Sequence, residues 1–184
     1  MQRLSKVLAM RSVASRRHCE EIITQGRVFV KGQKILVPQF QVDEDEQDIV
    51  VDGKKVPLKT FNQYFMLHKP IGYVCSTLSK GKKVLDLFNS SKTRLFTVGR
   101  LDKDTSGLIL VTNDGQFANR VMHPSFGVIK EYLVKTQAEI TDNHLKTMMQ
   151  GTMIEDTLVK PVRVQKGNAH RVGRRVLVCR RVGC

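Results

Sequence analysis

The chain has 184 residues, enough to bury a sizeable core as one mid-sized domain or as a small module joined to a larger one. Its apolar content of 41% is that of an ordinary globular protein, and no uninterrupted apolar run approaches the roughly 20 residues of a membrane helix, so no membrane association is expected. A formal charge of +14 and a pI near 9.9 point to a polyanionic partner, because surface Lys and Arg side chains release condensed counterions from nucleic acid when they bind it.

The charge is unevenly placed. The last 22 residues hold seven basic and no acidic side chains, whereas Asp43-Glu44-Asp45-Glu46, with Asp48 and Asp52, offsets an otherwise basic first module. The start, Met1-Gln2-Arg3-Leu4-Ser5-Lys6, lacks the apolar stretch and cleavage site of a secretory signal, and the chain is read as cytoplasmic. Cys19, Cys75, Cys179 and Cys184 form no CxxC pair and are read as free thiols. No histidine stands at metal-ligand spacing from a cysteine, so no metal site is expected. Neither GxGxxG nor a Walker A run occurs, and no cofactor is expected.

In chain order, Leu4, Val7, Leu8 and Arg11 follow a 3–4 spacing that predicts a short helix with its three apolar members facing inward. Ser15 caps a second helix whose apolar side is Cys19, Ile22 and Ile23 and which Gly26 stops, leaving Arg16, Arg17 and Arg27 exposed. Residues 27–37 read as two β-rich runs around a turn at Lys31-Gly32, and Ile49-Val50-Val51 is a further run before Asp52-Gly53. Taken alone, Arg16, Arg17 and Lys31 read equally as solvated charges on a small α+β fold. The order Ala14-Ser15-Arg16-Arg17, a helix, then Gly26-Arg27-Val28-x-Val30-x-Gly32 resembles the S4 RNA-binding domain over about residues 1–55. That resemblance implies that Arg16, Arg17, Arg27 and Lys31 meet RNA phosphates, which position the RNA without reading its sequence.

Residues 56–62 read as a short linker. In residues 64–76, two β-rich segments flank Lys69-Pro70 and Gly72, predicting strand, turn, strand. Lys69 has two readings, an RNA-facing side chain or a plain turn lysine. The segment Gly99-Arg100-Leu101-Asp102-Lys103-Asp104-Thr105-Ser106-Gly107 then places one carboxylate, Asp102, at a turn feeding the buried apolar strand Leu108-Ile109-Leu110-Val111, on the rim of a core. The hydroxyls of Thr105 and Ser106 are suited to hold backbone donors there, and Gly107 to supply an unusual dihedral. In isolation Asp102 reads as a turn aspartate capping Thr105 or Ser106; Asp104 and Asp114 read as turn residues. Residues 116–122 look helical up to His123-Pro124, residues 130–134 form a strand, and residues 141–150 a capped helix closed by Gly151, with Leu145, Met148 and Met149 apolar and the two methionines assigned to the core.

The run 99–110 closely resembles the catalytic signature of bacterial RsuA-type rRNA pseudouridine synthases. Four further strings fall in family order: the S4-like run, His68-Lys69-Pro70-Ile71-Gly72, Thr112-Asn113-Asp114-Gly115 and Lys130-Glu131-Tyr132. The resemblance implies an α+β protein with an S4-like RNA-binding domain over 1–56 and a catalytic domain over 63–184, built on a mostly antiparallel mixed sheet flanked by helices. It implies a cofactor-independent isomerase that converts a uridine of rRNA, free or in a pre-ribosomal particle, to pseudouridine, acting as a monomer. Asp102 takes the place of the catalytic aspartate. Arg100 occupies the space vacated by a flipped base or pairs with that carboxylate, Tyr132 stacks on the base, and Lys130 and Lys69 face the substrate.

After residue 164 the chain departs from the family pattern. The expected Glu-Gly-x-x-x-Gln-Val-Arg-Arg-Met stretch is replaced by a run alternating Arg and Val, to which only Val172 and Arg174-Arg175 correspond. Residues 165–184 therefore read as a truncated or frameshifted end, or as a divergent basic arm. A noncatalytic RNA-binding or ribosome-assembly protein derived from such a synthase is the alternative function, and neither ribosomal subunit is favoured by the sequence.

Overall fold

A computed structural model describes residues 1–58, 61–76, 78–88, 93–136, 138–154, 156–167 and 175–182. It divides into two compact units, Met1–Ala118 and Asn119–Cys184. The sequence-expected division between 56 and 63 falls inside the first of these.

In the first unit, β1 (Gln2–Arg3) runs into α1 (Leu4–Met10), followed by α2 (Arg16–Thr24), β2 (Val28–Val30), β3 (Gln33–Ile35), β4 (Gln41–Val42), β5 (Ile49–Val51) and β6 (Lys54–Lys55). β1 pairs with β4, and the other strands form an antiparallel sheet in the order β3-β2-β5-β6. Ser15 Oγ accepts the His18 N–H at 3.1 Å, which starts α2 where the side-chain chemistry favours it. Gly26 ends the helix at φ 71°, and a Cβ there would lie 2.4 Å from Lys34 Cε. The turns Lys31-Gly32 and Asp52-Gly53 each hold two successive positive φ angles, which suits two-residue hairpins.

Leu4, Leu8, Cys19, Ile23, Val28 and Ile49 are fully buried together. Burial pushes the Cys19 thiol up to about 11. Arg11, spaced with the apolar side of α1, is buried too and donates from Nη2 to the Glu44 carbonyl oxygen. Val56, expected in the linker, belongs to this core, and its N–H donates to Ile49 O at 2.8 Å.

The same unit continues with β7 (Tyr64–Lys69), a 3-10 turn at Val84–Phe88, β8 (Phe96–Val98), β9 (Gly107–Thr112) and the helix α3 (Gly115–Met122), in which Ala118 closes the unit. The sheet order is β7-β9-β8, antiparallel throughout. Ile109 and Val111 are buried with Val84 and Leu95, whereas Leu108 is 66% exposed. β9 is therefore covered on one face, a correction to its expected complete burial. The strand expected after Gly72 is also missing: Val74 forms only a one-residue parallel bridge with Lys83, because its neighbours turn away to bond the loop described below.

In the second unit, β10 (Ile129–Thr136) is followed by α4 (Asp142–Gln150), β11 (Thr152–Ile154), β12 (Thr157–Val159), β13 (Arg163–Gly167) and β14 (Arg175–Val182). The antiparallel order β10-β14-β13 puts the basic tail strand in the middle, and β11 pairs with β12 as a hairpin. An alternating sequence suits that placement, since successive strand residues face opposite sides. Val172 and Arg174 lie outside the described residues. Thr141 and His144 form a reciprocal cap on α4, each side chain accepting the other's backbone N–H at 3.3 Å. Met148 and Met149, assigned to the core from sequence, are 39% and 43% exposed. Among the described residues no helix is long and apolar enough to cross a membrane.

Candidate active site

β7 ends and β9 begins at the same rung, with Lys69 opposite Gly107. The loop 99–106 leaves β8 at Gly99 (φ 80°) and enters β9 at Gly107 (φ 145°), so glycines stand at both points where the backbone needs a conformation that side chains resist. Asp102 sits at the exposed crest of that loop.

The loop is held from below. Lys69 is 0% exposed, and its ammonium donates to the carbonyl oxygens of Pro70 (3.1 Å), Lys103 (3.2 Å) and Thr105 (2.7 Å). An ammonium has three donors, and all three are used. Of the two readings of Lys69, facing the RNA or a plain turn lysine, neither anticipates its burial under the loop, where its contacts are to backbone because a cation at that depth needs acceptors round it. The Gly72 N–H also donates to Lys103 O at 2.8 Å. On the other side, Cys75 Sγ accepts the Leu101 N–H at 3.3 Å and donates to Leu101 O at 3.4 Å.

Residues one before, one after and three after Asp102 are thus anchored by side chains or backbone from the segment 69–75. Gly72 and Cys75 were not singled out as site residues by sequence. The available signal was a turn glycine and a lone cysteine at fixed spacing after Lys-Pro, which is informative only once the facing loop is known.

Asp102 itself closes its turn with the backbone: Thr105 N–H donates to the Asp102 carbonyl oxygen at 3.1 Å. Among the described residues its carboxylate has no hydrogen bond or ion pair, so both oxygens remain free as acceptors. Arg100 is exposed and likewise forms no ion pair with Asp102. Asp104 is also exposed. Asp114 is structural, with Oδ1 accepting the N–H groups of Gln116 (2.9 Å) and Phe117 (3.1 Å) at the start of α3, and Oδ2 accepting from Tyr64 OH (2.8 Å) and Asn62 Nδ2 (3.0 Å). That contact with Asp114 raises the Tyr64 phenol above its ordinary value. Among the described residues no group of His, Cys, Asp and Glu is placed to hold a metal ion.

In the second unit, Tyr132 lies on β10 with its side chain 38% exposed, opposite Cys179 of β14 in the strand register, and Lys130 two residues earlier is half-buried. Of the expected phosphate contacts in the first unit, Arg17 is exposed and Arg16 forms a 3.5 Å pair with Glu20 within α2. Arg27 is held by Asp52 through Nε and Nη2, and Lys31 by Glu46 at 3.0 Å. These pairs hold the Asp52 and Glu46 carboxyls below the usual range, Asp52 chiefly through Arg27 and Glu46 first through the Asp48 N–H and then Lys31. All four are surface side chains, and such pairs contribute little that a phosphate would have to displace.

A family model for RNA pseudouridylate synthase matches residues 63–177, and one for the S4 domain matches residues 2–48. Ribosomal large subunit pseudouridine synthase B of Bacillus subtilis is 39% identical over 167 residues, covering 90% of this chain and 68% of that protein. The protein of the same name from Vibrio cholerae is 36% identical over 166 residues, covering 86% of this chain and 51% of that one. A chloroplastic protein of Arabidopsis thaliana is 44% identical over 178 residues, and the chain spans 43% of its length. A crystal structure of a pseudouridylate synthase aligns with all of this chain and 78% of its own, at a TM-score of 0.62 and 25% identity. What these likenesses support is the family at large, with large-subunit relatives, rather than its RsuA-type branch. The chain belongs to the RNA pseudouridylate synthase family and carries an S4 domain at its amino-terminal end.

Proposed function

We propose that this protein isomerises a specific uridine of large-subunit ribosomal RNA to pseudouridine, with Asp102 as the catalytic residue. The supporting observation is the state of Asp102: an exposed carboxylate with no partner among the described residues, on a loop anchored by Lys69, Gly72 and Cys75. Preorganisation of this kind is what positions a reacting group without reordering at each turnover. The two bacterial relatives named for the large subunit supply the substrate class.

The reaction is an isomerisation. The bond from ribose C1′ to uracil N1 breaks, a bond from C1′ to C5 forms, the proton leaves C5, and N1 ends protonated, so nothing is oxidised or reduced. A carboxylate suits it as a nucleophile toward the sugar or base, or as the base that takes the C2′ proton. The uridine must first leave its stack at a cost of a few kcal/mol. Arg100, two residues from Asp102, fills the vacated space or pairs with the carboxylate, Tyr132 stacks on the extruded ring, and Lys130 lies beside it in sequence. Residues 1–56 serve as the RNA-binding domain, through Arg16, Arg17, Arg27 and Lys31, and residues 63–184 as the catalytic domain.

The test is Asp102→Asn in the full chain, assayed on large-subunit rRNA by mass-shift labelling of pseudouridine. Product from the wild-type chain and none from the variant, with RNA binding retained, is the expected result. Undiminished product from the variant removes Asp102 from the reaction, and absence of product from the wild-type chain favours the noncatalytic RNA-binding reading.

A further inference from the structure

The segment between Tyr73 and Val84 is fastened to the Asp102 loop and carries three closely spaced lysines. Its two ends close on Val74, whose N–H donates to Lys82 O at 2.9 Å and whose carbonyl accepts the Val84 N–H at 2.9 Å. The residues around Val74 are those that grip the loop, Gly72 through Lys103 O and Cys75 through both backbone groups of Leu101. Two further bonds shape the segment, Leu78 N–H to Ser76 Oγ at 3.2 Å and Lys83 N–H to Asp86 Oδ2 at 2.8 Å.

What it projects is Ser79-Lys80-Gly81-Lys82-Lys83, with Lys80 and Lys82 exposed and Lys83 half-buried. Lys82 Nζ lies 5.9 Å from the Tyr73 ring centroid. Among the described residues none of the three ammonium groups has an ion pair, in contrast to Arg27 and Lys31, which Asp52 and Glu46 neutralise. Three like charges within four positions repel one another in the free protein, and a polyanion relieves that repulsion. An ammonium is a point charge with no geometry for reading bases, so such a cluster suits phosphates.

We propose that residues 79–83 form a second RNA contact, separate from the S4 domain, that holds the backbone phosphates next to the uridine presented to Asp102. The inference rests on the reading of Asp102 given above. The segment closes on Val74, which lies between Gly72 and Cys75, the residues bonded to the Asp102 loop, so the phosphate grip and the carboxylate are tied to one stretch of backbone.

The experiment uses the full chain and a large-subunit rRNA transcript. Dissociation constants are measured over a salt series for the wild-type chain, for Lys80→Ala/Lys82→Ala/Lys83→Ala and for the corresponding triple Arg variant. A photo-crosslinker is placed at position 82 or 102 in separate samples. The Ala variant is expected to flatten the salt dependence by up to ~0.7–0.9 log units of slope per lost contact, the Arg variant to keep the wild-type slope, and the two crosslinks to map within a few nucleotides of each other. An Ala variant with the wild-type slope and affinity, or crosslinks from 82 and 102 in unrelated parts of the RNA, overturns the proposal. Loop-dependent binding by a chain that forms no pseudouridine would sink the reading of Asp102 and leave the phosphate contact standing.

Discussion

The Lys69 ammonium lies 2.7 Å from the carbonyl oxygen of Thr105, three residues beyond Asp102, and is wholly buried. Among the described residues a charge there is compensated by carbonyl dipoles, and two of those three carbonyls, Lys103 and Thr105, belong to the loop that presents the carboxylate. Lys69→Met would leave three acceptors without their donor, a loss of about 1.5–3 kcal/mol or more in denaturant melts, given that each hydrogen bond to a charged group contributes on that scale. Turnover should fall with it, while the salt dependence of RNA binding stays that of the wild-type chain. A flatter slope would show instead that Lys69 meets a phosphate.

Cys75 is a positioning residue, since its sulfur bonds both backbone groups of Leu101, next to Asp102. Cys75→Ser keeps a group that both donates and accepts, and it should retain most of the turnover. Cys75→Val has neither function and should lower kcat with little change in KM. The split is diagnostic, because a merely structural cysteine would tolerate valine at least as well as serine. Cys19 serves as the internal comparison: buried, with its thiol pushed up to about 11, it should resist alkylation until the first module unfolds.

Division of labour along the chain is testable with two kinds of change. Arg16→Ala with Arg17→Ala should weaken RNA affinity and flatten its salt slope by up to ~0.7–0.9 log units per lost contact, a loss appearing in KM. Tyr132→Ala should do the reverse, leaving binding near normal and cutting kcat, because stacking on a base is made only after the base is extruded, and such a contact is worth roughly 1–3 kcal/mol. Single-turnover kinetics over an RNA titration separates the two. Loss of turnover at saturation from the arginine changes, or loss of binding from the Tyr132 change, would refute the assignment.

Sequence by itself determined whatever local chemistry dictates. Ser15 begins α2 and Gly26 ends it, Lys31-Gly32 and Asp52-Gly53 turn the chain, and Thr141 and Gly151 bound α4, because caps and positive φ angles depend on the residue at the position. The run around Asp102 was legible for the same reason, as a turn between an apolar strand and a glycine. Tertiary structure alone decided which partners those groups use. A lysine in a turn reads as solvated until two carbonyls from a loop 34 and 36 residues away are found beside it, and a lone cysteine reads as filler until Leu101 is found facing it. The same holds for burial. Arg11 was drawn into the core beside Glu44, whereas Leu108 was left largely exposed and Met148 and Met149 only partly covered, since the apolar period marks a face but not what comes to cover it.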